Sequence, residues 1–203
     1  MEQQVTGVPG NEVFTTQLTP LLFLERAADV FPQRNAVTYG PRRESYRELA
    51  ASAQRLAGAL TMSGIAAGDR VAYLLPNLPE MLVAQFGVPL AHAVLVAINT
   101  RLSGVEIGYI LQHSGAKILV ADSELLGRVV PDLGGCPELA EVVVLDDVGA
   151  GALTSATPYA EFLSRGEGAL RPWRVDGEER VISINYTSGT TCLLYTSPSP
   201  RDS

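Results

Sequence analysis

Apolar residues fall along this chain in two alternating patterns, stripes spaced three and four apart and short unbroken runs. Leu21, Leu24, Ala28 and Phe31 form the first stripe behind Thr19 and Pro20, an N-cap and first-turn pair, and Pro32 closes it. This spacing predicts an amphipathic helix. "NAVTYG" then reads as a short strand, with "GPRRE" as the turn after it. "SYRELAASAQRLAGALTMSG" combines a capping box, Ser45 with Glu48, with a stripe of Leu49, Ala53, Leu56 and Leu60 and with Gly64 as the C-cap. From there strands and helices take turns: strand "RVAYLLP", helix from Pro79, strand "VLVAI", helix capped by Ser103 with Glu106, strand "KILVA", helix from Ser123, strand "EVVVLDD". These strands are nearly continuous apolar runs, as expected when crossover helices cover both faces of a parallel sheet. The predicted class is α/β, with a mostly parallel sheet and crossover helices. The small, polar "GAGALTSATP", residues 149 to 158, reads as an exposed connection, and a short helix around Pro158 to Leu163 follows. Beyond the loop around "RPWRVDGEE", a last strand, "RVISINY", delivers "TSGTT".

Composition narrows the partners. At 203 residues and 46% hydrophobic content the chain has material for a real core. Only 18% of residues are charged, against roughly 25% in soluble domains, so an unusual share of the surface is expected to be covered by neighbours. A net charge of −7 opposes non-specific attraction to nucleic acid or anionic lipid, and no nucleic-acid partner is expected. Residues 81 to 98 approach the length of a membrane span, but Gln85, Gly87, Pro89 and His92 interrupt them. They read as a buried helix running into a buried strand, and no transmembrane segment is expected. The amino terminus lacks the cationic start and apolar core of a signal peptide, so a cytoplasmic protein is expected. Cys136 and Cys192 match neither a zinc spacing nor a disulfide framework and read as reduced thiols.

The end of the last strand carries the most chemistry. Thr187, Ser188, Gly189, Thr190 and Thr191 set four hydroxyls around a glycine whose missing side chain lets backbone amides face an anion. Such a nest suits a polyphosphate, although the string taken alone is a weak signal and reads first as an ordinary polar turn. It is not a Walker A loop, since no Gly-Lys pair follows. His92 and His113 read as a packed histidine and a C-cap cation rather than catalytic bases. Asp146 and Asp147 read as a solvated turn, and Trp173 with Arg171 and Arg174 as a packed loop. No catalytic residue and no metal ligand is assigned.

"INYTSGTT" resembles the opening of the phosphate-binding loop of the AMP-forming acyl-CoA synthetases, in the adenylate-forming superfamily, whose pattern runs Y-T-S-G-T-T-G-x-P-K-G. "SYRELAASAQRLAGAL", "GDRVAYLLPNLPEMLVAQFGVPLAHAVLVAINTRL" and "IGYILQHSGAKILVAD" are similar to the same family's amino-terminal region in wording, order and spacing. The resemblance runs from about Asn11 to Thr191. It implies an adenylation domain in which a carboxylate attacks the α-phosphate of Mg-ATP, giving an acyl-adenylate and pyrophosphate, after which coenzyme A takes the acyl group. It further implies a carboxylic, fatty acid substrate, with ATP, magnesium and coenzyme A as cofactors of the full-length parent. Residues 187 to 191 would hold the phosphates of the leaving pyrophosphate.

After Thr191 the family pattern gives way at once to Cys192, Leu193, Leu194 and Tyr195. We expect residues 1–191 to be a partial amino-terminal AMP-binding domain and residues 192–203 a foreign tail, because "CLLYTSPSPRDS" resembles translated adapter sequence and Ser-Pro-Ser-Pro neither continues a strand nor opens a helix. The loop lysine and the downstream elements, including the magnesium-binding glutamate and the mobile carboxy-terminal domain, are then missing. On that expectation the fragment is inactive, binds none of the cofactors tightly, and lacks the carboxy-terminal portion of its own chain as a partner. The alternative function is a non-catalytic module that binds a nucleotide or a protein.

Overall fold

The computed structural model describes residues 18–145, 155–174 and 177–187. Its centre is a six-stranded, wholly parallel sheet built from β3 (Arg70–Leu74), β4 (Val94–Ala97), β5 (Ala116–Ala121), β6 (Glu141–Val144), β7 (Thr157–Pro158) and β8 (Ser183–Asn185). The strand order is β7-β6-β5-β3-β4-β8. An antiparallel hairpin, β1 (Asn35–Tyr39) and β2 (Arg42–Ser45), stands apart from it.

The apolar runs alternate sides with period two, so each strand feeds two cores. Val71 and Tyr73 of β3, Leu95 of β4 and Ile118 and Val120 of β5 face one core. Ala72, Leu74, Val96, Leu119 and Ala121 face the other. The first core is closed by α1 (Pro20–Val30), α2 (Tyr46–Met62), α3 (Pro79–Leu90) and α6 (Tyr159–Ser164), the second by α4 (Gly104–Ser114) and α5 (Ser123–Val129). Leu56 and Leu60 of α2 are fully buried, each worth about 1.5–3 kcal/mol relative to exposure.

Both expected capping boxes form. Ser45 Oγ accepts from the Glu48 amide while Glu48 Oε2 accepts from the Ser45 amide at 2.7 Å, and Ser103 and Glu106 repeat the arrangement. These hydrogen bonds from the serine amide and hydroxyl hold both carboxyls below their ordinary range. Thr19 occupies the N-cap of α1, but its hydroxyl is buried and makes no hydrogen bond among the described residues. The second helix stops at Ser63, and Gly64 takes the left-handed position one residue beyond, at φ 83°. Residues 81–98 resolve as expected into α3 and β4, and among the described residues no helix is long and apolar enough to cross a membrane.

Two expectations change. Only Gly40 and Pro41 of "GPRRE" turn; Arg42 to Ser45 form β2, with Tyr39 opposite Arg42 across a two-residue loop. The strand is polar because its one buried position is Glu44, which takes Arg42 as partner, and Arg42 also reaches Glu80 of α3 at 2.6 Å. Thr157 and Pro158, read as the end of a connection and the start of a helix, instead pair with Val143 and Val144 as an edge strand. Edge position is where a residue without an N–H is tolerated.

From β7 the chain returns across the first helical layer to reach β8. Gly166 makes the crossing possible: a Cβ there would lie 2.0 Å from Arg55 O and 2.5 Å from Ala59 N of α2. Gln54 then exchanges two hydrogen bonds with the Arg171 backbone, at 2.9 and 2.8 Å. We expect Gly166→Ala to destabilise the fold by about 1–3 kcal/mol, since helix backbone must shift to admit the methyl. Gly127→Ala, in α5 with nothing within 4 Å of the new methyl, is expected to add about 0.5–1 kcal/mol. Thermal denaturation of both variants checks the pair; equal effects would contradict the crossing contact.

Candidate phosphate-binding site

All strands of the sheet run parallel, so the exits of β3, β4, β5 and β8 emerge at one end. In open parallel sheets ligands sit outside those carboxyl ends, where the chain reverses its direction of travel across the sheet. Here that switch lies between β3 and β5, neighbours whose exits lead off in opposite directions, to β4 and to β6. Helix α3 carries the chain from β3 to β4 over one face, and α4 carries it from β4 back past β3 to β5 over the other. β8 docks against β4 with Leu95 opposite Ser183 and Ala97 opposite Asn185. Tyr186 and Thr187 therefore leave the sheet beside the exit of β4, at the same carboxyl end as the switch between β3 and β5.

Of the expected phosphate-binding residues, Thr187 is exposed just beyond β8. Ser188, Gly189, Thr190 and Thr191 lie outside the described residues, as do Asp146, Asp147 and Cys192. Two polar side chains at the same edge are already committed. Asp122 caps α5 by accepting from the amides of Glu124 and Leu125, and Asn99 Oδ1 accepts from the Arg101 amide at 3.0 Å.

Tyr186 brings in residues that sequence spacing did not connect. Its side chain is half-buried against the second core, and its hydroxyl lies 2.8 Å from Nδ1 of His113 in the last turn of α4. The two rings meet edge to face with centroids 5.8 Å apart, and Tyr109, one turn earlier, stacks on His113 at 5.4 Å. Burial, with a smaller effect from Tyr109, pushes the Tyr186 hydroxyl above its ordinary value, so it stays protonated at neutral pH. His113, expected as a C-cap cation, is thus a ring partner of the residue that precedes the loop. A separation of 73 positions gave no signal for this pairing.

The remaining candidates take structural places. His92 sits in the turn between α3 and β4 at φ 59°, where its carbonyl accepts from the Gly68 amide. Trp173 packs against the first core, as expected of a packed loop. Cys136 is a buried free thiol whose Sγ lies 3.7 Å from Gly108 O, and burial raises its pKa. Lys117, the only lysine, stands at the amino end of β5, opposite the loop, and pairs with Asp69 at 2.8 Å. It cannot stand in for a phosphate-binding lysine. Among the described residues no three His, Cys, Asp or Glu side chains converge on a metal position.

The fold is an open, wholly parallel α/β sheet, a class that takes its ligands outside the carboxyl ends of its strands. Residues 24–193 match the family described as AMP-binding enzyme, and the chain belongs to that family. It is 35% identical over 191 residues to the peroxisomal acetate/butyrate–CoA ligase of Arabidopsis thaliana, covering 87% of this chain and 33% of that protein. With 4-hydroxybutyrate–CoA ligase 2 of Metallosphaera sedula it shares 34% identity over 193 residues, 92% of this chain and 35% of that one. A Mycobacterium tuberculosis fatty acyl CoA synthetase superposes with a TM-score of 0.63 at 30% identity, covering 83% of this chain and 32% of the other. The chain spans about a third of the length of the curated relatives it matches.

The Asp69–Lys117 pair gives a pH signature remote from the loop. Burial alone would raise the Asp69 carboxyl, but hydrogen bonds from Lys117 and the Ala66 amide, with Arg70 nearby, outweigh it and hold the carboxyl below its ordinary 3.8. A carboxyl depressed in the fold contributes stability above its unfolded pKa and loses it as pH falls through the folded value. Asp69→Asn is expected to cost about 1 kcal/mol or less at pH 7, because Lys117 is 36% exposed and water screens the pair. The difference from wild type should shrink as pH falls below 3.8 and through the lower folded value. Denaturant titrations at pH 7 and at successively lower pH check this; a gap that does not shrink with falling pH would assign the effect to packing.

Proposed function

We propose that the full-length protein to which this chain corresponds is an AMP-forming acyl-CoA ligase, converting a carboxylate, ATP and coenzyme A to acyl-CoA, AMP and pyrophosphate. The observation that carries this is the strand β8, which sets Tyr186 and Thr187 at the carboxyl end of the sheet, the end that holds the switch between β3 and β5. The CoA-ligase names of the relatives support it, and those names cover both aliphatic and aromatic acids.

In this proposal residues 1–191 form part of the adenylation domain, and residues 192–203 lie apart from it because the family's Gly-x-Pro-Lys-Gly is replaced there. Thr187, Ser188, Thr190 and Thr191, with the amides around Gly189, hold the β- and γ-phosphates and stabilise charge as pyrophosphate leaves. They position and neutralise; they exchange no proton with the acid. The described residues assemble no magnesium cage of their own, and no step is assigned to one.

ATP–pyrophosphate exchange dependent on an added carboxylic acid tests the reading. A protein carrying Gly-x-Pro-Lys-Gly and the further length of the relatives after Thr191 should show it, and the 203-residue chain should not, since each lost contact to a transferring phosphoryl group costs about 10² to 10³ in rate. In the longer protein, Thr190→Ala or Thr191→Ala should lower kcat/KM by about 5- to 150-fold. Exchange by the 203-residue chain, or full activity of both variants, would sink the assignment of the loop.

A further inference from the structure

Tyr186 belongs to a side-chain linkage that ties the strand exit to the body of the sheet. β8 is short, three residues, and among the described residues pairs only with β4. Three backbone pairings fix its register but leave the direction of the chain beyond Asn185 open. The missing constraint comes from α4, whose carboxyl end is itself immobilised. Arg70 of β3 donates from Nε to Ser114 O at 2.5 Å and from its terminal nitrogen to Gly115 O at 2.8 Å, and Gly115 closes the helix in the left-handed conformation. His113 precedes those two carbonyls in sequence. Its ring is held from one side by the stacked Tyr109 and offers Nδ1 to the Tyr186 hydroxyl.

Burial does not account for this cluster, because Tyr109 is 44% exposed and His113 is exposed as well. What orders the rings is the directed contact, a hydrogen bond at 2.8 Å combined with an edge-to-face meeting. Either tautomer of the imidazole serves, since a phenol donates and accepts equally. The side chain so held is the one immediately before Thr187, the first residue of the hydroxyl loop.

We propose that His113, supported by Tyr109, is a positioning residue for the phosphate loop: through Tyr186 it fixes the direction in which the chain leaves β8 and so presets where Thr187 stands. His113 touches no phosphate in this scheme and acts only through Tyr186. The inference rests on the ligase reading for its functional consequence, but the linkage has a readout of its own.

The test uses the full-length ligase-length protein with Tyr186→Phe, His113→Phe and the double variant. Tyr186→Phe keeps the ring and removes the hydrogen bond. Acid-dependent ATP–pyrophosphate exchange should show the KM for ATP raised about three- to tenfold in each single variant, with the KM for the acid changed less than twofold. The double variant should be no worse than the worse single one, because both remove the same contact. Independently of activity, hydrogen exchange of the ligand-free protein should show residues 183–187 exchanging about three- to tenfold faster in Tyr186→Phe, with β3 and β5 unchanged. Unchanged exchange at 183–187, additive losses in the double variant, or equal shifts in both KM values would each overturn the linkage while leaving the ligase reading intact. If the wild-type protein shows no exchange activity with any acid, the ligase reading fails, and hydrogen exchange alone then decides whether the linkage exists.

Discussion

A parallel sheet has no face it can leave in water, and that requirement organises this molecule. Every strand-to-strand connection must cross a face, so the order in which strands are laid decides which face each helix covers. Here β3 lies inside the sheet. The chain steps from it to β4 over one face and turns back to β5 over the other, so that the neighbours β3 and β5 send their helices away from each other over opposite faces. The two cores, the reversal point and the place where a ligand can approach the strand ends follow from this one arrangement. The packing also explains the low charge content: strands with two covered faces have few positions where a charge reaches water.

The return of the chain from β7 to β8 has equal weight. Six strands in the order observed put the last two in sequence at opposite edges, and the segment between them must cross the helical layer over α2. That crossing needs a residue without a side chain at Gly166, a reciprocal pair of hydrogen bonds at Gln54, and Trp173 seated on the first core. These contacts stand far from the strand exits, yet they deliver β8 to β4.

Much of this was legible because local signals agreed with global ones. Ser45 with Glu48 and Ser103 with Glu106 mark helix starts by chemistry that needs no tertiary context, and the apolar runs at 70–76, 94–98 and 117–121, alternating with helical stripes, fit strands covered on both faces. β2 escaped notice because its buried residue is Glu44, whose burial depends on Arg42 and Glu80, a pairing that only the folded chain reveals. The two-residue β7 escaped because Pro158 reads as a breaker unless the edge of the sheet is known. At the site, the hydroxyl string could be read, whereas the contact of His113 with Tyr186 depends on how far β8 lies from α4, which no spacing encodes.

The two edges of the sheet are chemically unequal. At one, β7 is two residues long and ends in Pro158, which has no N–H to offer. At the other, the outer N–H and C=O groups of β8 face no strand among the described residues. A proline-capped edge rejects a newcomer, while a bare one is a template for it. Among the described residues the sheet is therefore open to growth in one direction, on the side that carries Thr187.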